Sequence, residues 1–303
     1  MDEVLVVDGG SFVNSTLEDL ANPIQFGATA GFSGGGKQNT GAVTLLANST
    51  VTFDGTTTLA GVISGAKSLT IAGLSNAQVT LSGTNTYTGG TTLNGTTVIA
   101  GSLGAFGAGA IAVNLNATLD LGDFTLANAI TLTGGRIQAT SAGTAGTLTT
   151  AQLTAQSGTI AAVITGTDFV KSGAGVLILD AENTYTGSTT VTGGTLRPSF
   201  PDAIPAASVV TVTGGTFDLN FGSLTNTINV AGGTLANGTV DLSQLNATTG
   251  QVSANIAGNL LGFIKDSAGT LVLSGFNTFT GGVDVLAGTL QLGTTDALGL
   301  NAV

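Results

Sequence analysis

The chain has 303 residues, including 48 glycines and no cysteine, histidine or tryptophan; 42% are hydrophobic and 8% charged, at a mean hydropathy of +0.45. Disordered chains are poor in apolar residues, so this composition excludes disorder, and the lack of histidine excludes Ser-His-Asp triads and most transition-metal centres. Seventeen acids against six bases (Lys37, Lys67, Arg136, Lys171, Arg197 and Lys265) give a formal net charge of −11, which speaks against nucleic acid or an anionic membrane surface as partner, while zero cysteines exclude a disulfide framework.

The start, Met1-Asp2-Glu3-Val4, lacks the basic and apolar regions of a secretion signal and reads as a processed fragment. No stretch approaches the roughly 18 consecutive apolar residues of a membrane helix, so this segment is not expected to insert in a membrane. Val4 to Phe12 (VLVVDGGSF) resembles Val209 to Phe217 (VVTVTGGTF), so repetition begins at once. Further on, NTYTGGTT (Asn85 to Thr92) recurs as NTYTGSTT (Asn183 to Thr190) and NTFTGGVD (Asn277 to Asp284), at spacings of 98 and 94 residues. The only two tyrosines, Tyr87 and Tyr185, hold the same place in this unit, and Phe279 holds it in the third.

Inside this long period runs a short one, a small residue followed one position later by an apolar one. From Gly175 through Gly194, Gly215, Gly233, Gly250, Gly269 and Gly288 the steps are 19, 21, 18, 17, 19 and 19 residues; Gly158, Gly135, Ala117, Thr96 and Ala77 continue the series backward, with one step of 23. A unit of about 19 residues is too short for a helix pair and cannot close a core alone, but it matches one coil of a β-helix. Val, Leu, Ile and Thr between Gly and Asn punctuation predict two or three short strands per coil, with alternation such as Val176 and Ile178 against Leu177 and Leu179 turning one set inward. The expected fold is all-β, a single continuous parallel β-solenoid over residues 1–303 of about fifteen coils of roughly 19 residues. Super-repeats of about 95 residues divide it approximately into 1–76 (partial), 77–174, 175–268 and 269–303 (partial).

Candidate chemistry is sought among the carboxylates. Glycoside hydrolysis needs two opposed carboxyl groups, and Asp120 with Asp123, or Asp180 with Glu182, have a spacing that could share one surface. Against the second pair, equivalent positions hold Ser82 with Thr84 and Ser274 with Phe276, so these acids vary as turn decoration. No catalytic residue and no cofactor are expected. Calcium is the metal most compatible with acidic turns, at most as an adventitious ion near Asp120 and Asp123, because GGGKQNT (Gly34 to Thr40) lacks the aspartate of the calcium-binding nonapeptide. The same glycines lack the GK[ST] of a phosphate loop. Thr56 to Thr58 invite an ice-binding reading, but steps varying between 17 and 23 are expected to break a regular threonine array.

The repeated turn positions Asn85, Tyr87, Gly89, Asn183, Tyr185, Gly187, Asn277, Phe279 and Gly281 are read as structural. The asparagines are expected to take a left-handed turn or to bond nearby backbone, and the aromatic residue to cap the core edge of the adjacent coil.

The segments Val62 to Thr97, Val163 to Leu196 and Asn255 to Leu290 resemble the autotransporter-associated β-strand repeat, also called the passenger-associated transport repeat. Its pattern is an isoleucine-glycine turn, a G-x-G-T-L-x-L-S-G strand, then N-T-Y-T-G-G-T and A-G-T-L; the third segment matches nearly throughout, and the first departs at Leu74 to Gln78. Leu20-Ala-Asn22-Pro-Ile24, Leu126-Ala-Asn128-Ala-Ile130 and Leu224-Thr-Asn226-Thr-Ile228 resemble the L-x-N-x-I strand that often precedes the repeat. The resemblance implies a right-handed parallel β-helix in the passenger of a bacterial surface or secreted protein, extracellular or at the cell surface. The expected function is a structural shaft or adhesin segment and not an enzyme. A self-associating extracellular filament or matrix subunit and a β-helix polysaccharide-active enzyme are the alternatives. Expected partners are other copies of the chain, neighbouring solenoid repeats, and host-cell or surface glycans.

Overall fold

The computed structural model describes residues 3–13, 19–33, 37–74, 76–140, 143–220, 222–258 and 262–300. Gly34, Gly35 and Gly36, weighed above as a calcium or phosphate loop, lie outside the described residues. Short strands dominate: among the described residues there is no α-helix, and two single 3-10 turns, Pro201–Ala203 and Leu242–Gln244, interrupt them. Strands pair in parallel with partners roughly one coil away, which makes the fold a β-solenoid; its turns number about 14, one fewer than the glycine spacing suggests. The residues pack as two compact units, 1–154 with 158–163, and 155–157 with 164–303.

The N-terminal coils of the first unit have three sides. One column stacks Leu5–Val7, Ile24–Phe26, Val43–Leu45 and Ile63–Ser64. The second stacks Gly10–Val13, Thr29–Ser33, Ser49–Phe53, Leu69–Gly73, Thr91–Asn94, Ile111–Asn114 and the first half of Ile130–Gln138. The third stacks Lys37–Asn39, Thr56–Leu59, Gln78–Leu81, Thr97–Ala100, Thr118–Asp120 and the end of Ile130–Gln138. Because successive side chains point to opposite faces, one residue in two enters the core. Val51, Ile71, Leu93, Val113 and Leu132 thus form a buried ladder in register through five coils.

Uneven coil lengths do not break the register, contrary to the expectation for the threonines. Thr29, Thr50, Thr70 and Thr92 stand in one outward rank although their spacings differ, since extra residues are taken up in the corners between strands. That rank meets Ala112 next, and the adjacent rank reads Gly31, Thr52, Ala72 and Asn94, so no paired threonine lattice results.

In the second unit the equivalent columns stack Phe169–Lys171, Thr189–Val191, Val210–Val212, Ile228–Ala236 and Leu245–Val252, and Val176–Leu179, Thr195–Pro198, Thr216–Asp218 and the end of Ile228–Ala236. Leu177 and Leu179 turn inward and Val176 outward, as the alternation predicts. Leu177, Leu196, Phe217, Leu235 and Val252 form a buried ladder of this unit in register. Gly194 and Gly215 occupy left-handed corners with φ of 62° and 67°, where a side chain would be strained.

Candidate functional site

The one constellation that recurs in all three long repeats is the asparagine corner. The Asn85 Oδ1 accepts from the Ile63 N–H of the preceding coil at 2.7 Å, and its Nδ2 donates to the Ala105 carbonyl of the next at 2.5 Å. Asn183 joins Ile164 and Ala203 at 2.8 and 2.7 Å, and Asn277 joins Ile256 and Ala297 at 2.8 and 2.6 Å. Each buried amide therefore spans three successive coils, supplying a donor and an acceptor where the corner leaves backbone groups unpaired. The backbone is not left-handed at these positions; among the described residues the non-glycine residues with positive φ are Asn116, Asn220 and Asn237, in other turns. Of the two roles expected for the repeated asparagines, backbone bonding is the one seen here.

The aromatic residue two positions on is fully buried in each repeat, as Tyr87, Tyr185 and Phe279. Tyr87 Oη and Thr91 Oγ1 are 2.6 Å apart, and Tyr185 Oη and Thr189 Oγ1 are 2.7 Å apart. Burial pushes both phenols up to about 12 despite these hydrogen bonds. Phe279 loses the hydroxyl, and Val283 stands where Thr91 and Thr189 stand, so the polar pair disappears together. Rings of the preceding coil lie against this residue, Phe169 at 5.7 Å from Tyr185 and Phe263 at 6.5 Å from Phe279. Gly89 and Gly187 pass so close to the preceding corner that a Cβ would overlap Lys67 and Ser68, or Thr167 and Asp168. Gly281 is half-buried and has no positive φ.

The L-x-N-x-I asparagines also bond backbone, each donating to the preceding coil. Asn128 Nδ2 donates to the Gly107 and Gly109 carbonyls at 3.0 and 2.6 Å, Asn226 to Pro205 and Ser208 at 2.8 Å each, and Asn22 to Glu3 at 3.1 Å. Leu74 to Ala77, where the first segment departs from the pattern, closes with an Ala77 N–H to Leu74 carbonyl bond of 2.8 Å; Ser75 within it lies outside the described residues.

Sequence reasoning missed two buried lysines. Lys171 and Lys265 are fully buried. The Lys171 ammonium donates to the carbonyls of Ser172, Gly173 and Gly193 at 2.7, 2.8 and 3.0 Å, and Lys265 donates to the Ser267 carbonyl, to Ser267 Oγ at 3.0 Å and to the Ala287 carbonyl at 3.3 Å. Desolvation lowers the Lys171 pKa from its ordinary value. The signal was available: in Phe169-Val-Lys171 and Phe263-Ile-Lys265 alternation puts the lysine in phase with the inward phenylalanine.

The carboxylates weighed for catalysis are placed differently from one another. Asp120 is buried and accepts from the Gly122 N–H at 2.9 Å, the Thr140 N–H at 2.9 Å, Gln138 Nε2 at 3.0 Å and the Thr140 hydroxyl. Burial opposes its charge, but these bonds outweigh burial and hold its pKa below the ordinary 3.8. Asp123 is exposed in the turn beyond, so the two do not share a surface. Asp218, 98 residues after Asp120, is buried and accepts from Arg197 Nε and Nη2 at 2.9 and 2.6 Å, from Asn237 Nδ2 at 2.6 Å and from the Asn220 N–H at 2.9 Å. Desolvation again opposes its charge and is outweighed, so its pKa too is lowered. Asp180 is half-buried and Glu182 exposed, in the turn after Val176–Leu179. Among the described residues no group of three or more His, Cys, Asp or Glu side chains is arranged to hold a metal ion.

Parallel coils fastened corner to corner by asparagine define a repeat solenoid in which the recurring residues serve stacking. Three segments of the chain, residues 76–104, 169–197 and 263–292, match the model of the passenger-associated-transport-repeat. Each match holds the strand and asparagine corner described above. The chain is also 35% identical over 150 residues to the protein named Adhesin BmaC autotransporter from Brucella suis biovar 1 (strain 1330), covering 46% of this chain and 4% of that protein. It thus spans a small fraction of that relative's length. No solved structure matches the chain.

Proposed function

We propose that the chain is a shaft segment of a bacterial surface adhesin of autotransporter type, without catalytic activity of its own. The observation that carries this reading is the use made of its polar side chains: Asn85, Asn183, Asn277, Lys171, Lys265, Asp120 and Asp218, all buried, are committed to a neighbouring coil or turn. Groups held this way stabilise stacking and have no free valence for a substrate. The passenger-associated repeats and the similarity to a protein named as an autotransporter adhesin support an exported, surface-exposed setting. The receptor end of such an adhesin, and contacts with glycans or with further copies, belong to the parent protein as a whole.

The test is a comparison on cells. Deleting residues 77–174, one super-repeat, from the parent protein should leave its export and surface exposure intact and shorten the reach at which cells adhere. Separately, the purified chain is incubated with a panel of acidic and neutral glycans. Sustained release of sugar that stops on Asp120→Asn or Asp218→Asn substitution would overturn the proposal.

A further inference from the structure

Among the described residues, one side of one coil in the second unit is unpaired. The strand Leu245–Val252 pairs behind with Ile228–Ala236 from Leu245 onward, but ahead only where Gly250, Gln251 and Val252 meet Leu271, Val272 and Leu273. Phe263–Lys265, next in the same column, pairs with Val283–Val285 on its far side, and among the described residues no strand pairs with its near side. Between Leu245–Thr248 and Phe263–Lys265 lies a cavity of about 480 Å³, with Leu242, Leu245, Ala247, Phe263, Ile264 and Asp266 among its walls. It narrows where Ser267 Oγ donates to the Thr248 carbonyl at 3.0 Å.

Backbone alternation fixes which groups face this opening. The Phe263 N–H bonds the Gly282 carbonyl and the Lys265 carbonyl accepts from the Leu286 N–H, so both residues face forward and the N–H and C=O of Ile264 face the cavity. On the other wall, the Val210 N–H bonds the Thr227 carbonyl, so Ile228 and Val230 face the next strand. Their register partners Leu245 and Ala247 therefore turn their backbone groups away from them; the Leu245 N–H donates to the Leu242 carbonyl, which leaves the Leu245 C=O and the Ala247 N–H and C=O facing the cavity. Among the described residues these two strand edges confront each other without pairing, above a floor made by the buried side chains of Leu242, Leu245 and Phe263.

We infer that this opening is a docking slot for one extended peptide strand of another polypeptide, apolar at its inward position and carrying Lys or Arg at the end beside Asp266. A strand laid parallel between the two edges satisfies the Leu245 C=O and the Ala247 N–H and C=O on one side and Ile264 on the other, and a single apolar side chain covers the floor. Charge selects its sequence: Asp266 is exposed at the narrow end, and the adjacent Lys265 directs its ammonium to Ser267 and Ala287 instead.

The test is amide hydrogen exchange on the full chain with a synthetic peptide, acetyl-Thr-Val-Thr-Leu-Thr-Lys-amide. In dilute chain alone the amides of Ala247 and Ile264 should exchange quickly, and saturating peptide should slow both roughly tenfold or more. A peptide with proline at its centre, or with Glu in place of Lys, should not slow them, and Asp266→Lys should shift the preference to the Glu peptide. Slow exchange of these amides in dilute chain would overturn the inference, because the edges would already be paired. Protection that rises with chain concentration alone would assign the slot to a second copy and overturn it as well, as would equal protection by the proline peptide or none by the lysine peptide.

Discussion

The corner at Asn85 to Thr92 and the corner at Asn277 to Asp284 solve one packing problem with different chemistry. Both bury an aromatic ring and both bridge three coils through the asparagine, but the first carries a Tyr87 and Thr91 hydroxyl pair while the second has Phe279 and Val283. Hydroxyls in a dry site are kept or lost in pairs, because one left alone has no partner. The neighbouring strand shows a second exchange. Ile71 fills the inward position that Lys171 and Lys265 hold in the other repeats, and Thr96 stands where those have Gly194 and Gly288. In the first repeat Thr96 Oγ1 donates to the Ala77 carbonyl at 2.9 Å; in the second the lysine ammonium supplies the donors, and a Cβ on Gly194 would meet it. Turn carbonyls must find a donor, and the sequence is free to choose which side chain brings it.

Four measurements break or sharpen this contrast. Since solenoids need not unfold in one step, local opening near each site is read by native-state hydrogen exchange. The largest effect is expected from Lys171→Ile, which imports the first repeat's residue but strands three carbonyls, at a cost of roughly 3–5 kcal/mol. Adding Gly194→Thr should not recover it, because φ at that position is 62°. Asn183→Ala should cost about 2–4 kcal/mol, leaving the Ile164 N–H and the Ala203 carbonyl unpaired at once. Tyr87→Phe alone should cost about 1–2 kcal/mol, whereas Tyr87→Phe with Thr91→Val, which reproduces the third repeat, should cost clearly less than the two single changes added together.

The smallest effect is on acidification. Asp120 and Asp218 have pKa values below 3.8 in the folded chain, so their contribution is complete at neutral pH. It is lost as pH falls from the ordinary carboxylate range through their depressed folded values. Asp120→Asn and Asp218→Asn should flatten that acid limb in a pH series of urea midpoints; an unchanged limb would show that neither carboxylate matters to it.

The stacked architecture was legible in the sequence because a coil cannot avoid its corner, and the spacing of Gly and Asn writes that corner into the chain. Strand faces were equally plain from alternation, as at Leu177 and Leu179. The partners of the corner residues were not legible. Asn85 reaches Ile63 and Ala105, 22 and 20 residues away in opposite directions, and only stacking brings these groups together. Asp120 looked like half of a carboxylate pair because Asp123 is close in sequence, yet its partners Gln138 and Thr140 lie one coil on. Lys171 was hidden by its type, since an isolated lysine reads as solvated unless its phase with Phe169 is noticed.

Register that survives unequal coil lengths has an engineering consequence. Thr50, Thr70 and Thr92 stay in rank across spacings of 20 and 22 residues, so the corners act as slack that the strands never feel. A foreign loop spliced into such a bend, for instance beside exposed Asp202 in the turn that follows Thr195–Pro198, should hang outside the ladder and leave the coils above and below undisturbed, making the scaffold a natural carrier for displayed epitopes.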